Sequence, residues 1–588
     1  MKTIPIRLMA ILIVLVTAVS TGIAGENDTC LLFSYFKGNG EDGLHLAASD
    51  DGLTWKALNY DMPFLAPAIG NEKLMRDPCI ITGPDGLFHM VWTVSWNDRV
   101  IGYTRSRDLI EWTEQKEIPV MMHEPEARNC WAPELFYDSA AGDYVIFWST
   151  TIPGRFPETE ASSETDYNHR IYCTTTRDFE SFTPTRLFYD PGFNCIDGTI
   201  VRADDRYVMF FKDETLKPPQ KNIKITTASS PKGPWGKASE AITGDYWAEG
   251  PTAARIEGRW LVYFDKYRKY AFGGVQSTSF GQWEDVSDSI SFPDGARHGT
   301  VFRAPHAVLD SLLVHTRTTG LDEYLASLPV TQRETVYKSA GGADLKLHIF
   351  EPSARPSGKP LPAIVFFFGG GWTGGTPAQF FLHSRYLASR GMVAISAEYR
   401  VKSRHGTTPV ECVADGKSAV RWLRSHAAEL GIDPARIAAG GGSAGGHVAA
   451  CTAVIAGYEE IGENTAVSSR PDALVLFNPV TDTTPERWAE RFGEHAEPLS
   501  PNHNVTSGIP PAIIFHGVDD TTVPIDHVRT FGKLMRENGD SCKIVEYPGK
   551  VHAFFNYGRD GNVPFIDTVR ETDRFLASLG YIDGKPKL

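Results

Sequence analysis

The sequence lacks the features that mark metal-cluster, membrane-spanning and nucleic-acid-binding proteins. Its eight cysteines form no CxxC pair, so the usual spacing of a zinc or redox centre is missing. Beyond the N-terminus, no stretch approaches the roughly twenty apolar residues of a membrane helix. The formal net charge is −14, whereas phosphate-rich partners need a basic surface. We therefore expect no nucleic-acid partner and no stable membrane insertion, while disulfide pairing and oligomeric state stay open.

The chain has 588 residues, too many for one hydrophobic core, and we predict two large domains. At the N-terminus two basic residues precede an apolar run from Leu8 to Val19, which is followed by the small residues Gly22 and Ala24. This order is typical of a secretory signal. We predict a signal peptide over residues 1–24 and a mature protein that is secreted or periplasmic.

One pattern recurs five times between residues 30 and 300: two strand-like runs, then a small or hydroxyl residue followed by an aromatic one. Repeats of this length that consist only of strands predict a β-propeller with four-stranded blades. In each repeat, one of the two strands gives the clearer sequence signal, because it is rich in aromatic and β-branched residues. Four of these strands are Phe88 to Thr93, Tyr144 to Ser149, Tyr207 to Lys212 and Trp260 to Asp265.

A short motif opens the strand that precedes each of these runs, and we call these motifs the five openings. They read Arg76-Asp77-Pro78, Trp131-Ala132-Pro133-Glu134, Ile196-Asp197-Gly198, Glu249-Gly250-Pro251 and Arg297-His298-Gly299. The first strand of a propeller blade lines the central channel, so we expect the openings to converge on the axis. The last opening has no further strands, and the stretch from Leu31 to Trp55 has strands but no opening. Together they are predicted to complete one blade and close the ring.

Three of the openings supply Asp77, Asp197 and Glu249 as candidate catalytic carboxylates. Glycoside cleavage with inversion needs one ionised carboxylate to activate water and one protonated carboxyl to donate to the leaving oxygen. A third carboxylate nearby raises the pKa of the acid by like-charge repulsion. The residues alone assign no roles, and Asp-Pro and Glu-Gly-Pro are also ordinary turn sequences.

Residues 30–305 resemble glycoside hydrolase family 43 and its five-bladed arabinosidase and xylosidase relatives through these openings. The resemblance implies Asp77 as general base, Asp197 as the residue that tunes the acid, and Glu249 as general acid. It also implies that a channel ion, with calcium as the candidate, lies near His298, although no cofactor is required. The candidate substrate-binding residues are Trp131, Glu134, Trp247 and His298. We assign residues 25–310 to this domain and residues 311–332 to a linker.

From residue 333 to residue 588, strand and helix signals alternate, which predicts a doubly wound, mostly parallel sheet. Gly441-Gly442-Ser443-Ala444-Gly445 is a GxSxG sequence between a strand and an Ala-rich helix. Asp520 and His552 follow later in the chain, completing the order Ser, Asp, His.

This half resembles α/β-hydrolases, in particular carbohydrate acetyl esterases and related lipase-like esterases. The resemblance implies Ser443 as nucleophile, His552 as general base and then acid, and Asp520, in preference to Asp519, as the group that fixes the histidine tautomer. Amides of Gly370, Gly371 and Ala444 are the expected oxyanion hole. Relatives commonly have histidine before these glycines, where this chain has Phe368, which leaves the rigidity of the loop open.

The sequence thus predicts a secreted enzyme with an inverting glycosidase propeller and a serine carbohydrate esterase. The expected partner is a plant cell-wall polysaccharide or oligosaccharide, with acetylated arabinoxylan as first choice. One alternative keeps the esterase, acetyl or feruloyl, beside a propeller that only binds sugar. Another makes the hydrolase a peptidase, because propellers also precede peptidases of this fold.

Overall fold

The computed structural model describes residues 29–164, 167–355 and 358–588. It divides the chain into two compact units, with the boundary between Leu313 and Val314. The predicted signal peptide, residues 1–24, lies outside the described residues. Among the helices that are described, none is long and apolar enough to cross a membrane. All eight cysteines are buried free thiols.

The N-terminal unit contains five antiparallel sheets, which confirms the predicted five-bladed propeller. From the channel outwards, blade I comprises Ala296–Pro305, Thr29–Lys37, His45–Ser49 and Lys56–Ala57; blade II comprises Arg76–Thr82, Phe88–Thr93, Ile101–Ser106 and Lys116–Ile118; blade III comprises Trp131–Asp138, Asp143–Thr151, His169–Thr176 and Arg186–Tyr189. Blade IV comprises Cys195–Ala203, Arg206–Asp213 and Asn222–Ala228; blade V comprises Glu249–Ile256, Arg259–Lys266, Ala271–Ser277 and Glu284–Asp285. A short helix, Pro157–Glu160, lies within blade III.

Blade IV has three strands within the described chain, where four were predicted. The segment after Ala228 still follows the edge strand, because the amides of Gly236 and Ser239 donate to the carbonyls of Thr227 and Ile225. It contains Pro231 and Pro234, which have no N–H to donate, so a regular ladder does not form.

The ring closes in blade I between the two ends of the domain. Ala296–Pro305 pairs antiparallel with Thr29–Lys37, from Thr29 opposite Pro305 to Lys37 opposite Ala296. The N-terminal strand and the strand of the last opening therefore share one blade, as predicted. The hydrogen bonds between these two strands hold the ends of the domain together and so close the ring.

Each of the five openings contains a β-bulge, in which two residues of the inner strand lie opposite one residue of the neighbouring strand. The openings therefore align residue by residue. Their first positions are Arg76, Trp131, Ile196, Glu249 and Arg297; their second positions are Asp77, Ala132, Asp197, Gly250 and His298. Four of the second-position residues, all except His298, have left-handed φ angles between 45° and 59°. The bulge therefore changes the direction of the backbone at these residues, where each inner strand begins.

The C-terminal unit contains one eight-stranded sheet, which confirms the predicted α/β-hydrolase fold. Its strand order is Val330–Ala340, Ala343–Pro352, Val393–Ala397, Leu361–Phe367, Ile432–Gly442, Ala473–Phe477, Ala512–Gly517 and Cys542–Tyr547. The first two strands are antiparallel to their neighbours and the other six are parallel. Leu361–Phe367 and Ala473–Phe477 are buried along their whole length, as expected of central parallel strands covered on both faces.

Helices surround this sheet: Phe381–Ser389, Lys402–His405, Pro409–Ser425, Ala427–Leu430, Ala444–Val454, Glu486–Phe492, Ile525–Glu537 and Val563–Ser578. The longest begins after Thr408, which forms a capping box with Glu411. The segment predicted as a linker, residues 311–332, is largely helical: His306–His315 is followed by Thr316–Gly320 and Leu321–Ser327. Leu309, Leu312 and Leu313 lie on one side of the first helix and pack into the propeller core, which explains why it forms.

Candidate active sites

Ser443 occupies a sharp turn between the strand Ile432–Gly442 and the helix Ala444–Val454. Its φ and ψ angles are 54° and −117°, a strained conformation for a residue other than glycine. The turn is possible because nearby glycines have no side chains. A Cβ on Gly445, for example, would lie 2.1 Å from the carbonyl oxygen of Phe367. The serine is therefore held at the carboxyl edge of the sheet, in the geometry of a nucleophile elbow.

His552 connects Ser443 to Asp520. His552 Nδ1 lies 2.7 Å from Asp520 Oδ2, and Nε2 lies 3.0 Å from Ser443 Oγ. A carboxylate can only accept, so Nδ1 carries the proton and Nε2 is free to accept the serine hydroxyl. The three predicted residues thus meet in the order that nucleophilic catalysis requires.

Asp520 is held in one orientation by the turn that follows it. Its Oδ1 accepts hydrogen bonds from the amides of Thr522 and Val523, both at 2.9 Å. Burial raises the pKa of Asp520, but the bonds from His552 and Val523 outweigh this effect and hold the pKa below its usual value. The group is therefore ionised at neutral pH. His516 is held by the same turn, because its Nε2 lies 2.9 Å from the carbonyl oxygen of Val523.

The predicted oxyanion amides belong to a glycine loop and to the helix after Ser443. Gly370 and Gly371 have left-handed φ angles of 133° and 60°, and a Cβ on Gly370 would lie 2.3 Å from the Gly374 carbonyl oxygen. Within the part of the chain that the structure describes, neither of these two amides donates to a protein acceptor. Ala444 is the first residue of its helix, so its N–H has no acceptor in the helix either.

Phe368, which stands where relatives have histidine, is fully buried. Its ring stacks on Tyr399 with the centroids 4.2 Å apart, and the Tyr399 hydroxyl donates to the Phe368 carbonyl at 2.6 Å. The next residue, Gly369, donates its N–H to Gln379 Oε1 at 2.6 Å. The glycine loop is thus anchored without the histidine. Neither Tyr399 nor Gln379 belongs to a motif that sequence reasoning could have found.

In the propeller, Asp77 lies against His298. His298 Nδ1 is 3.2 Å from Asp77 Oδ1, and Thr93 donates to Asp77 Oδ2 at 2.8 Å. Burial raises the pKa of Asp77, but His298 and Arg76 outweigh it and lower the pKa to about 2. Burial lowers the pKa of His298, but Asp77, with Asp197 and Glu134, raises it to about 9. Asp77 is therefore ionised, as a general base must be, and the protonated His298 stabilises its negative charge.

Asp197 lies beside the opening of blade V. Its Oδ2 accepts from the amide of Gly250 at 3.0 Å, and its own amide donates to Ser149 Oγ at 3.2 Å. Burial, together with repulsion by Glu249 and Asp77, raises the pKa of Asp197 to about 6 against the attraction of His298. Gly250 is required here, because a Cβ on it would lie 2.3 Å from His298 Cγ.

Glu249 contacts two cations. Lys212 Nζ donates to its Oε2 at 3.0 Å, and Arg297 Nη2 donates to its Oε1 at 3.4 Å. Burial raises the pKa of Glu249, but Lys212 and Arg297 outweigh it and hold the pKa below its usual value. The environment of Glu249 therefore differs from that of a carboxyl whose pKa is raised to hold a proton, which is what the implied role of general acid requires.

Glu134 lies one step further along the channel, at the fourth position of its opening. It accepts hydrogen bonds from Thr199 at 3.0 Å and from Thr300 at 3.2 Å, and these threonines occupy the same position in their own openings. Burial raises the pKa of Glu134 to about 7. Glu134 and three threonines, Thr199, Thr252 and Thr300, are among the residues that line a cavity of about 300 Å³. Glu134 is thus buried among hydroxyl groups.

The aromatic candidates lie at different places. Trp131 is half-buried; its ring packs against His169 and Tyr167 with centroids 5.0 Å and 4.9 Å away, and its Nε1 donates to the Trp96 carbonyl. Trp247 is half-buried, and the guanidinium of Arg268 lies 3.9 Å from its ring centre. Their sugar-binding role stays a prediction.

No group of three or more histidine, cysteine, aspartate or glutamate side chains in the described ranges is arranged to hold a metal ion. The positive charge at the centre of the acidic channel is supplied by protein groups: His298 contacts Asp77, and Lys212 contacts Glu249. The channel ion that the resemblance implied near His298 remains a prediction.

Lys212 was missed as a site residue, although a signal for it exists. The four predicted strands end at Thr93, Ser149, Lys212 and Asp265, and each of these residues reaches the next opening around the ring. Thr93 accepts from the amide of Ala132, Ser149 accepts from the amide of Asp197, and Asp265 accepts from Arg297 at 2.5 Å. The last residue of each such strand is therefore a channel residue, and two of the four are charged.

These features define the N-terminal unit as a five-bladed propeller with an acidic channel and the C-terminal unit as an α/β-hydrolase with a Ser-His-Asp triad. Residues 26–307 match a family 43-related model described as "Probable glycosyl hydrolase domain". Residues 347–489 match the family BD-FAE, and residues 472–578 match the dienelactone hydrolase family. These matches confirm a family 43-related domain in the N-terminal half and an α/β-hydrolase domain of the esterase type in the C-terminal half.

Individual relatives match the C-terminal half. A plant protein, "Probable isoprenylcysteine alpha-carbonyl methylesterase ICMEL1" of Arabidopsis thaliana, is 28% identical over 38% of this chain and 51% of its own length. Esterase LipC of Mycobacterium tuberculosis is 29% identical over 33% of this chain and 54% of its own length. The chain thus spans about half the length of these curated relatives. Among solved structures, apo Thermogutta terrifontis esterase 2 is 46% identical, with 43% of this chain and 97% of that chain covered and a TM-score of 0.42.

Proposed function

We propose that the C-terminal unit is a serine carboxyl ester hydrolase. The observation that carries this proposal is the continuous contact from Asp520 through His552 to Ser443 Oγ, with distances of 2.7 Å and 3.0 Å. An inactive remnant of the fold could lose one member of this set without losing stability, whereas this chain keeps all three in contact. The esterase relatives support the same reaction class.

In the proposed mechanism, Ser443 Oγ attacks the ester carbonyl carbon while His552 Nε2 takes the hydroxyl proton. The carbonyl oxygen becomes an oxyanion, which accepts hydrogen bonds from the amides of Gly370, Gly371 and Ala444. His552 then gives its proton to the leaving alcohol, and an acyl-enzyme forms. Water then attacks the acyl carbon while His552 takes its proton, and the bond between the acyl carbon and Ser443 Oγ breaks as His552 returns the proton to Ser443 Oγ and the acid leaves.

We propose that the propeller acts on sugar as an inverting glycosidase of the arabinofuranosidase or xylosidase type. Asp77 suits the general base, because it is ionised and held by His298 and Thr93. Of Asp77, Asp197 and Glu249, Asp197 is the one whose pKa, raised to about 6, lets it keep a proton most readily. For Glu249 to act as the acid, substrate binding must weaken its contacts with Lys212 and Arg297.

A second candidate, a propeller that binds sugar without cutting it, is favoured by one observation: the two cations beside Glu249 keep this carboxylate ionised. In either case an acylated cell-wall polysaccharide, such as acetylated arabinoxylan, is the substrate that best unites the two sites. A sugar branch and an ester on the same polymer can each block removal of the other. Such a substrate also fits export of the protein.

The test measures release of 4-nitrophenol from the acetate, the α-L-arabinofuranoside and the β-D-xyloside with wild type, Ser443→Ala and Glu249→Gln. We expect acetate release to be lost only in Ser443→Ala and sugar release only in Glu249→Gln. No acetate release by wild type would reject the esterase. Binding of arabinoxylan oligosaccharides in calorimetry, without cleavage of any glycoside in a wider panel, would favour the binding propeller.

A further inference from the structure

A chain of side-chain amides connects the glycine loop to the segment that carries His552. At one end, Gly369 donates its N–H to Gln379 Oε1 at 2.6 Å. Gln379 lies on the short 3-10 helix Pro377–Phe380, whose first residue is fixed when Ser396 Oγ donates to the Pro377 carbonyl at 2.7 Å. The acceptor is thus attached to the sheet, and it holds the loop at the residue next to Gly370.

The amide nitrogen of Gln379 points to the histidine segment. This Nε2 donates to Asn556 Oδ1 at 2.9 Å, and Asn556 Nδ2 donates to the Ala553 carbonyl at 3.1 Å. Ala553 directly follows His552 and has a left-handed φ of 63°. Its N–H donates to Asn478 Oδ1 at 3.1 Å, so both main-chain polar groups of Ala553 are held by asparagines.

Both ends of this connection lie next to reacting groups. A Cβ on Gly369 would lie 3.4 Å from Ser443 Cβ, so the Gly369 peptide is in contact range of the nucleophile. His552 Nε2 is hydrogen-bonded to the Ser443 hydroxyl. One glutamine therefore links the two elements whose relative position sets the geometry of attack, the oxyanion loop and the base.

We infer that Gln379 and Asn556 are positioning residues, which together fix the oxyanion loop against the loop of His552. The inference rests on the proposed ester hydrolase function. Phe368 directly precedes the glycines, and its phenyl ring cannot hydrogen-bond to the loop. Stacking on Tyr399 fixes the start of the loop, and the amide of Gln379 fixes its next residue.

The expected effect is on rate and not on folding. Gln379 and Asn556 are both half-buried and belong to a short helix and a loop, so their loss leaves the sheet and its core intact. A displacement of about 1 Å in a catalytic group can cost roughly 100-fold in rate. We expect kcat on 4-nitrophenyl acetate to fall roughly 10- to 100-fold in Gln379→Leu and in Asn556→Leu, with KM changed less than about threefold.

The experiment compares the two single variants, the double variant and a matched control, Asn538→Leu. Asn538 also donates its side-chain amide to a main-chain carbonyl, that of Leu534 at 2.9 Å, but at an exposed helix end. If Gln379 and Asn556 form one link, the double variant loses no more rate than the more impaired single variant. Two unrelated effects would instead multiply. The pH profile of kcat/KM is measured for each variant, because a displacement of the base relative to Ser443 and Asp520 alters this profile, whereas a remote structural effect does not.

Gln379→Glu separates the two bonds and serves if the leucine variants fold poorly. Its carboxylate still accepts from Gly369 but cannot donate to Asn556, so we expect a loss smaller than that of Gln379→Leu and again a shifted pH profile. Wild-type rates in either single variant, or losses that multiply in the double variant, would overturn the inference. If wild type hydrolyses no ester and a phosphonate probe does not label Ser443, the proposed function itself fails.

Discussion

Replacing Asp520 by asparagine tests the proposed triad more sharply than removing Ser443, because it exchanges one carboxylate oxygen for an NH2 group and leaves the shape of the side chain nearly unchanged. In the structure, Oδ1 of Asp520 accepts from the two amides of Thr522 and Val523, and Oδ2 accepts from His552 Nδ1. An asparagine side chain has one oxygen, and the two main-chain N–H donors require it. Its amide nitrogen must then face His552.

This orientation reverses the tautomer of the histidine. The amide nitrogen of the substituted side chain donates to Nδ1, so the imidazole proton moves to Nε2, 3.0 Å from Ser443 Oγ. The base then faces the nucleophile with a proton and not with a lone pair. In the equivalent change in a serine protease, kcat falls by roughly 10⁴, or about 5 kcal/mol of transition-state stabilisation, and we expect a loss of this order for Asp520→Asn.

The assay is 4-nitrophenyl acetate hydrolysis at about pH 7 to 8, with thermal unfolding to verify that the variant is folded. Asp519→Asn is the matched control, since Asp519 is the exposed neighbour, whereas the bond to His552 is made by Asp520. We expect the control to retain full activity. An Asp520→Asn variant with more than about a tenth of wild-type kcat, or an equal loss in Asp519→Asn, would refute the reasoning.

Three further predictions concern the elbow and the channel. Gly445→Ala should destabilise the hydrolase by about 1–3 kcal/mol or more, seen as a lower unfolding temperature, because the added Cβ would lie 2.1 Å from a main-chain carbonyl oxygen; an unchanged temperature would contradict this. Lys212→Met should raise the pKa of Glu249, the proposed general acid, and so move the alkaline limb of the pH–rate profile for sugar cleavage to higher pH. His298 has a pKa raised to about 9 from 6.5, so its contribution to stability is complete below pH 6.5 and is lost as the pH rises through 9. Chemical denaturation should show a loss on the order of 3 kcal/mol over this range, absent in His298→Gln.

The sequence was sufficient for the fold class because most elements have a local signal. Ala473–Phe477 is a run of apolar residues between polar turns, and the structure forms a strand over these residues. Where the signal is mixed, the bounds follow from it less closely: the apolar run of residues 437–439 is short, but the observed strand extends over Ile432–Gly442, because its first residue pairs in parallel with Leu361. Tertiary pairing, which the residues of one segment cannot reveal, extends the strand.

The triad could be predicted because its order in the chain is a pattern in itself. The link from Gln379 to Asn556 could not, since the two residues are 177 positions apart and neither belongs to a motif. A glutamine in a loop is ordinary on the basis of composition. Only the packing of two loops at one sheet edge gives its amide two specific partners.

The channel illustrates the same limit in another way. Asp77, Asp197 and Glu249 were grouped because all three are carboxylates, but the bulges align them differently: Asp77 and Asp197 are second-position residues, and Glu249 is a first-position residue. A first-position side chain meets the last residue of a neighbouring strand, so Glu249 contacts Lys212, whereas Asp77 contacts His298 at a second position. The register in the bulge thus decides which neighbours each carboxylate meets, and the neighbours decide its charge. Asp77 and Asp197 share a register, but His298 outweighs burial and lowers the pKa of Asp77 to about 2, whereas burial with repulsion by Glu249 raises the pKa of Asp197 to about 6.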